Sequence, residues 1–160
     1  MKILRRTLCC ATPALALALA VTGCAGQTTT QLQADVTAIS SGLAGVVAAL
    51  RALPGNPVPA SVIAQAETVI ADIQGNAAAI ASTLTPAPSI VQAIGTAVST
   101  LDALVAPFFP QAPAVAAVVQ AALALVPVVL ASAGIAAAPL AAPPRFTTAQ
   151  ARAILAAGVR

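Results

Sequence analysis

Apolar residues recur at helical spacing through the first part of the chain. Over residues 30–53 they follow steps of four and three, which places them on one narrow stripe of a helix. Similar stripes return over residues 59–84 and 89–105, after short turns that contain proline. The stripes consist of Leu32, Val36, Ile39, Leu43, Val46, Leu50 and Leu53, then Ile63, Ala66, Ile70, Ile73, Ala77, Ile80 and Leu84, then Val91, Ile94, Val98, Leu101 and Val105. This pattern predicts an all-α protein with an antiparallel three-helix bundle at residues 30–106.

Three helix starts carry a polar signal, a Ser or Thr followed three positions later by glutamine. This spacing matches the capping box, in which the two side chains satisfy backbone N–H groups that have no partner within the helix. The pairs are Thr30 with Gln33, Ser89 with Gln92, and Thr147 with Gln150.

The chain loses its charges after Asp102, and none returns before Arg145. Residues 114–138 contain only Gln120 and Ser132 as polar side chains, and they are long enough to span about 30 Å of hydrocarbon. We therefore predict an uncharged apolar helical segment at residues 107–142 that acts as a membrane span.

A packed arrangement of the same segment is the alternative. Pro127 would kink a span, and alanine is only weakly hydrophobic in a bilayer. Two short helices lying on the bundle would use the same residues.

A short cationic helix is predicted at residues 143–160, after Pro143-Pro144. Its charges are Arg145, Arg152 and Arg160, with no acidic residue among them. If the preceding segment spans a membrane, these arginines favour a cytoplasmic C-terminus. In a soluble periplasmic domain they would be ordinary surface arginines.

The first residues have the three parts of a bacterial export signal. Lys2, Arg5 and Arg6 precede an apolar run at Ala14–Val21, and small residues follow. Val21, Thr22, Gly23 and Cys24 together look like a lipobox, in which an aliphatic residue and two small residues precede the cysteine that is lipidated. The alternatives are an uncleaved N-terminal helix and an ordinary signal cut a few residues later.

This motif predicts three features of the processed chain. Residues 1–23 form a signal peptide, Cys24 carries lipid, and residues 24–29 form a tether. The expected location is the periplasmic side of a membrane, and membrane lipid bound through Cys24 is the expected partner.

Charge and cysteine content reduce the number of possible functions further. The formal net charge is +3, but Lys2, Arg5 and Arg6 leave with the signal peptide. The remaining four arginines balance four carboxylates, so no basic face is expected for nucleic acid. Cys9 and Cys10 also lie in the signal peptide, and lipid would consume Cys24, which leaves no thiol for a disulfide or a metal.

Candidate catalytic chemistry is sparse. The chain has no histidine or tyrosine, and its one lysine lies in the signal peptide. The remaining carboxylates, Asp35, Glu67, Asp72 and Asp102, are predicted to keep polar helix faces hydrated, and Asp35 also suits the helix dipole. We therefore expect no enzymatic activity, no cofactor, no metal and no small-molecule substrate.

Several stretches together resemble small phage- or prophage-encoded lipoproteins described as holins. They are the leader with its lipobox, the Ala/Val-rich middle, the run from Val118 to Leu130, and the ending Ala149-Gln150-Ala151-Arg152-Ala153-Ile154-Leu155. The resemblance implies self-association in the inner membrane, which forms a lesion through which a lytic enzyme is released. Small residues in the uncharged segment would let helices approach closely there.

The leading functional hypothesis is therefore a holin-like, membrane-anchored lipoprotein that acts by helix association. The alternative is a structural or interaction lipoprotein of the bacterial cell envelope. A neutral processed chain with few surface charges suits a protein that is rarely free in solution.

Overall fold

The computed structural model describes residues 25–55, 57–83, 87–135 and 145–159. Within these ranges the protein is helical, and none of their residues lies in a strand. The prediction of an all-α fold is confirmed. The helices are α1 at Ala25–Leu43, α2 at Val46–Arg51, α3 at Ala60–Ala81, α4 at Pro88–Val105, a 3-10 turn at Ala106–Phe108, α5 at Pro113–Ser132 and α6 at Thr148–Ala157.

The four long helices form a ring in which each packs against two neighbours. Helix α1 contacts α3 and α5, and α4 contacts the same two helices from the other side. Helices α1 and α3 run antiparallel, since Gln33 near the start of α1 donates to the carbonyl groups of Ile80 and Thr83 at the end of α3. Short connections between alternating neighbours are typical of an up-down bundle.

The predicted apolar stripes form the core. Every stripe residue of α1, α2, α3 and α4 is buried, apart from Leu53, which is half-buried, and Leu84, which lies outside the described residues. Burial of these stripes removes apolar surface from water and so contributes to the hydrophobic driving force of the bundle.

Helix α5 is the most buried long helix and completes the ring. It is a single helix that continues through Pro127, and nine of its twenty residues are buried. It packs against α1 and α4 on two sides and against α6 on a third. Pro113–Ser132, within the uncharged segment, therefore lies in the bundle as one helix, whereas the packed alternative divides the segment into two short helices.

The short helix α6 covers the groove between α1 and α5. Its close approach depends on Gly42 of α1, where an added Cβ would lie 2.5 Å from Leu155 Cδ2 and 3.1 Å from Leu155 Cα. Only glycine leaves room for the backbone of α6 at this distance.

The capping predictions had different outcomes. At α6 the box is confirmed, because Gln150 N donates to Thr147 Oγ1 at 3.3 Å and Thr147 N donates to Gln150 Oε1 at 3.0 Å. The box at Thr30 is wrong, since α1 already begins at Ala25 and residues 25–29, predicted as a tether, are helical. No proline stops the helix from extending over this stretch.

The box at Ser89 is also wrong. Helix α4 begins one residue earlier, at Pro88, with Ala87 at the N-cap and no side-chain cap. Proline at the first helical position has no N–H to satisfy and already has a helical φ, so it starts the helix without help from a serine.

Candidate functional site

The predicted lipidation site lies outside the described residues. Val21, Thr22, Gly23 and Cys24 all precede the first described position, Ala25. Helix α1 begins at that position, so the bundle starts at the residue next to the proposed anchor.

Three stretches of the described chain are long and apolar enough to cross a membrane. They are Thr29–Arg51, Pro88–Phe108 and Pro113–Ser132. In the fold, the most apolar 18-residue window of the last stretch is half buried against other helices, and the windows of the first two are 39% and 33% buried. These lengths and compositions are consistent with association of the protein with a membrane.

A bidentate ion pair joins the C-terminal helix to the bundle. Arg152 of α6 donates from Nε to Asp35 Oδ1 at 2.7 Å and from its terminal nitrogen to Asp35 Oδ2 at 2.9 Å. The Asp35 side chain is 1% exposed, whereas that of Arg152 is 40% exposed. The two parallel hydrogen bonds fix the guanidinium in one orientation, and the hydrogen bond with Asp35 raises the pKa of Arg152 further.

This pair corrects two predictions. The sequence predicts Asp35 on a hydrated face and, for a soluble domain, Arg152 as an ordinary surface arginine. Instead Asp35 is buried beside the α1 stripe, because Leu32 and Ile39 lie one turn before and after it on the same face. A buried carboxylate requires a hydrogen-bonding partner of opposite charge, and α6 supplies it.

Asp102 is the second carboxylate that is not fully hydrated. Gln120 of α5 donates to its Oδ1 at 2.9 Å, in a partly buried setting between α4 and α5. Burial raises the pKa of Asp102, while the hydrogen bond from Gln120 and the positive charge of Arg145 act in the opposite direction. Asp102 is therefore only partly hydrated, and Gln120, a polar side chain of the uncharged segment, has its partner on another helix.

The other two carboxylates match the prediction of hydrated faces. Glu67 is exposed and accepts a hydrogen bond from Arg51 at 2.6 Å, which joins α2 to α3. Asp72 is also exposed on α3. An exposed pair of this kind contributes little to stability because water competes for both partners.

The two carboxylates that are not fully hydrated connect neighbouring helices. Among the described residues, no group of three or more His, Cys, Asp or Glu is close enough to hold a metal ion. Asp35 and Asp102 are each engaged by a side chain of a neighbouring helix. They therefore tie helices together.

No protein-family model, curated protein or solved structure matches the chain. Its function must therefore be argued from its own residues.

The pair of Asp35 with Arg152 was missed by sequence reasoning because 117 residues separate its members. The sequence does contain a local signal for the burial of Asp35. Asp35 follows Leu32 by three and precedes Ile39 by four, so it falls on the apolar stripe of its helix. A lone carboxylate in such a position predicts burial and a distant cation as its partner.

Proposed function

We propose that the protein is a non-enzymatic lipoprotein of the bacterial envelope, which lipid on Cys24 holds at the periplasmic face of a membrane. In this proposal the helical bundle remains folded outside the bilayer and acts as a structural or interaction module. The observation that carries the proposal is the packing of α5 against α1, α4 and α6, since α5 is the most apolar of the three described stretches that are long enough to span a membrane.

The packing of α5 favours a folded module, because insertion of α5 alone into a membrane would disrupt its contacts with the other helices. Removing α5 from the ring would expose the apolar stripes of α1 and α4 to water. It would also separate Gln120 from Asp102 and remove the helix on which α6 rests. The anchor and the fold fit together geometrically, since α1 begins directly after Cys24.

Holin-like membrane insertion is the second candidate. The observation in its favour is that three helical stretches have the length and composition of membrane spans. Under this proposal the bundle opens, and its helices reassociate with those of other copies through their small residues. The protein would form a lesion in the inner membrane by self-association.

The location of the C-terminus distinguishes the two candidates. Reporters that are active on only one side of the inner membrane would be fused after Arg160 in the full chain. The envelope proposal expects activity of the periplasmic reporter alone, because no helix crosses the bilayer. Activity of the cytoplasmic reporter would mean that an odd number of helices span, and it would overturn this proposal in favour of membrane insertion.

Lipid attachment is tested separately at Cys24. Cells that express the wild-type chain with labelled palmitate are expected to yield labelled protein, and the Cys24→Ala variant is expected to carry no label. Cys10→Ala is the matched control, since this cysteine lies in the signal peptide and its loss should leave labelling unchanged. Label retained by Cys24→Ala would show that the anchor is assigned to the wrong residue.

A further inference from the structure

A pocket of about 480 Å³ lies at the end of the bundle opposite the start of α1. We call this end the distal end, which comprises α2 and the start of α5. Helix α1 rises about 1.5 Å per residue, so its nineteen residues place the distal end roughly 28 Å from Ala25. Val58 and Ala112 are buried in the connections there, which shows that the distal end is ordered and packed.

One wall of the pocket is a face of α2 made of very small side chains. Gly45, Ala48, Ala49 and Ala52 line it over two turns of helix. Larger side chains at these positions would fill the space toward α5. The small side chains along this helix face leave space between α2 and the start of α5.

The opposite wall comes from the start of α5 and the end of the chain. Ala114 and Val115 lie on α5, and Val159 follows α6. Gln111 is the polar side chain at the pocket. The described lining contains no charged and no aromatic side chain, so it offers nothing to pair with phosphate or to stack on a planar ring.

We propose that this pocket binds one hydrocarbon chain, as found in a fatty acid or in the acyl tail of a lipid. The volume falls in the range of small-molecule sites, about 300–1,000 Å³. A lining without charged side chains complements a hydrocarbon chain, and the amide of Gln111 can hydrogen-bond the carboxylate or ester group at the end of that chain. The site extends beyond the envelope role, and it does not depend on lipid at Cys24.

The test measures binding of palmitate carrying a fluorescent reporter to the purified full chain, immobilised and washed free of detergent. Ala48→Leu and Ala114→Leu fill the pocket from opposite walls, and both positions are exposed, so the fold should tolerate them. Each variant is expected to weaken binding about tenfold or more. Ala71→Leu is the matched control, because this exposed alanine of α3 lies outside the pocket.

Competition with unlabelled palmitate and with a palmitoyl lysophospholipid distinguishes the two sources of the bound hydrocarbon chain, a free fatty acid and a lipid tail. Displacement by palmitate alone assigns a free fatty acid, and displacement by both assigns a site that also accepts lipid tails. Absence of saturable binding would overturn the proposal. Equal affinity in wild type, both filling variants and Ala71→Leu would overturn it as well, since the label would then bind elsewhere. Neither result would bear on labelling at Cys24 or on the position of the C-terminus.

Discussion

Replacing Arg152 by methionine is expected to lower the free energy of unfolding by about 3 kcal/mol. Removing one partner of a buried ion pair leaves an uncompensated charge, at a cost of roughly 3–5 kcal/mol. The lower end applies because the Arg152 side chain is 40% exposed, which lets some water reach the site. Asp35 would keep only the weak 3.4 Å contact from Gln31.

Arg51→Met is the matched control for this prediction, since it removes an arginine from an ion pair on the surface. The side chains of Arg51 and Glu67 are 57% and 45% exposed, so a loss below about 1 kcal/mol is expected. Urea denaturation followed by circular dichroism measures both variants. Similar losses for Arg152→Met and Arg51→Met would contradict the role assigned to burial of Asp35.

A double variant separates the stability lost to the unpaired buried charge from the stability lost with the packing of the arginine. Asp35→Asn combined with Arg152→Met leaves no buried charge, so it should recover part of the stability that Arg152→Met alone loses. The methionine is the same in both variants, and its contacts therefore cancel in the comparison. If the double variant is no more stable than Arg152→Met, the buried charge is not the source of the loss.

The helices could be predicted from the sequence because they depend on the spacing and capping of residues that are close together in the chain. The stripe from Ile63 to Ile80 follows from side-chain spacing alone, and its members are buried as expected. The box at Thr147 likewise depends on residues within one turn. The error at Ser89 arose because Pro88 starts the helix without a side-chain cap, and the error at Thr30 arose because the helix already begins at Ala25.

The position of α5 could not be predicted from its own residues. An uncharged helix of this length suits a bilayer and a protein interior equally well, because both exclude water. Its environment is decided by partners far along the chain, such as Gly95 of α4, whose added Cβ would lie 3.1 Å from Val126 Cγ1. The same limit applies to polar residues. The pairing of Asp35 with Arg152 cannot be predicted before the fold places the two side chains next to each other.

Replacing Gly42 by alanine is expected to lower the free energy of unfolding by about 1–2 kcal/mol. Alanine favours a helix over glycine by up to about 1 kcal/mol, so helix propensity alone would stabilise the variant. At this position the new methyl group would meet Leu155 Cδ2 at 2.5 Å and the Leu155 backbone at 3.1 Å. Such overpacking costs roughly 1–3 kcal/mol, and the backbone contact cannot be relieved by rotating a side chain.

Gly75→Ala provides the matched control with the opposite sign. Gly75 lies inside α3 with nothing within 4 Å of an added Cβ, so the same substitution should raise stability by up to about 1 kcal/mol. Hydrogen exchange adds a local measurement, because displaced α6 should lose amide protection in Gly42→Ala while α3 keeps it. A stabilised Gly42→Ala variant with α6 still protected would mean that α6 does not rest on α1 at this distance. Since Arg152 reaches Asp35 from the same helix, the ion pair would then need another explanation too.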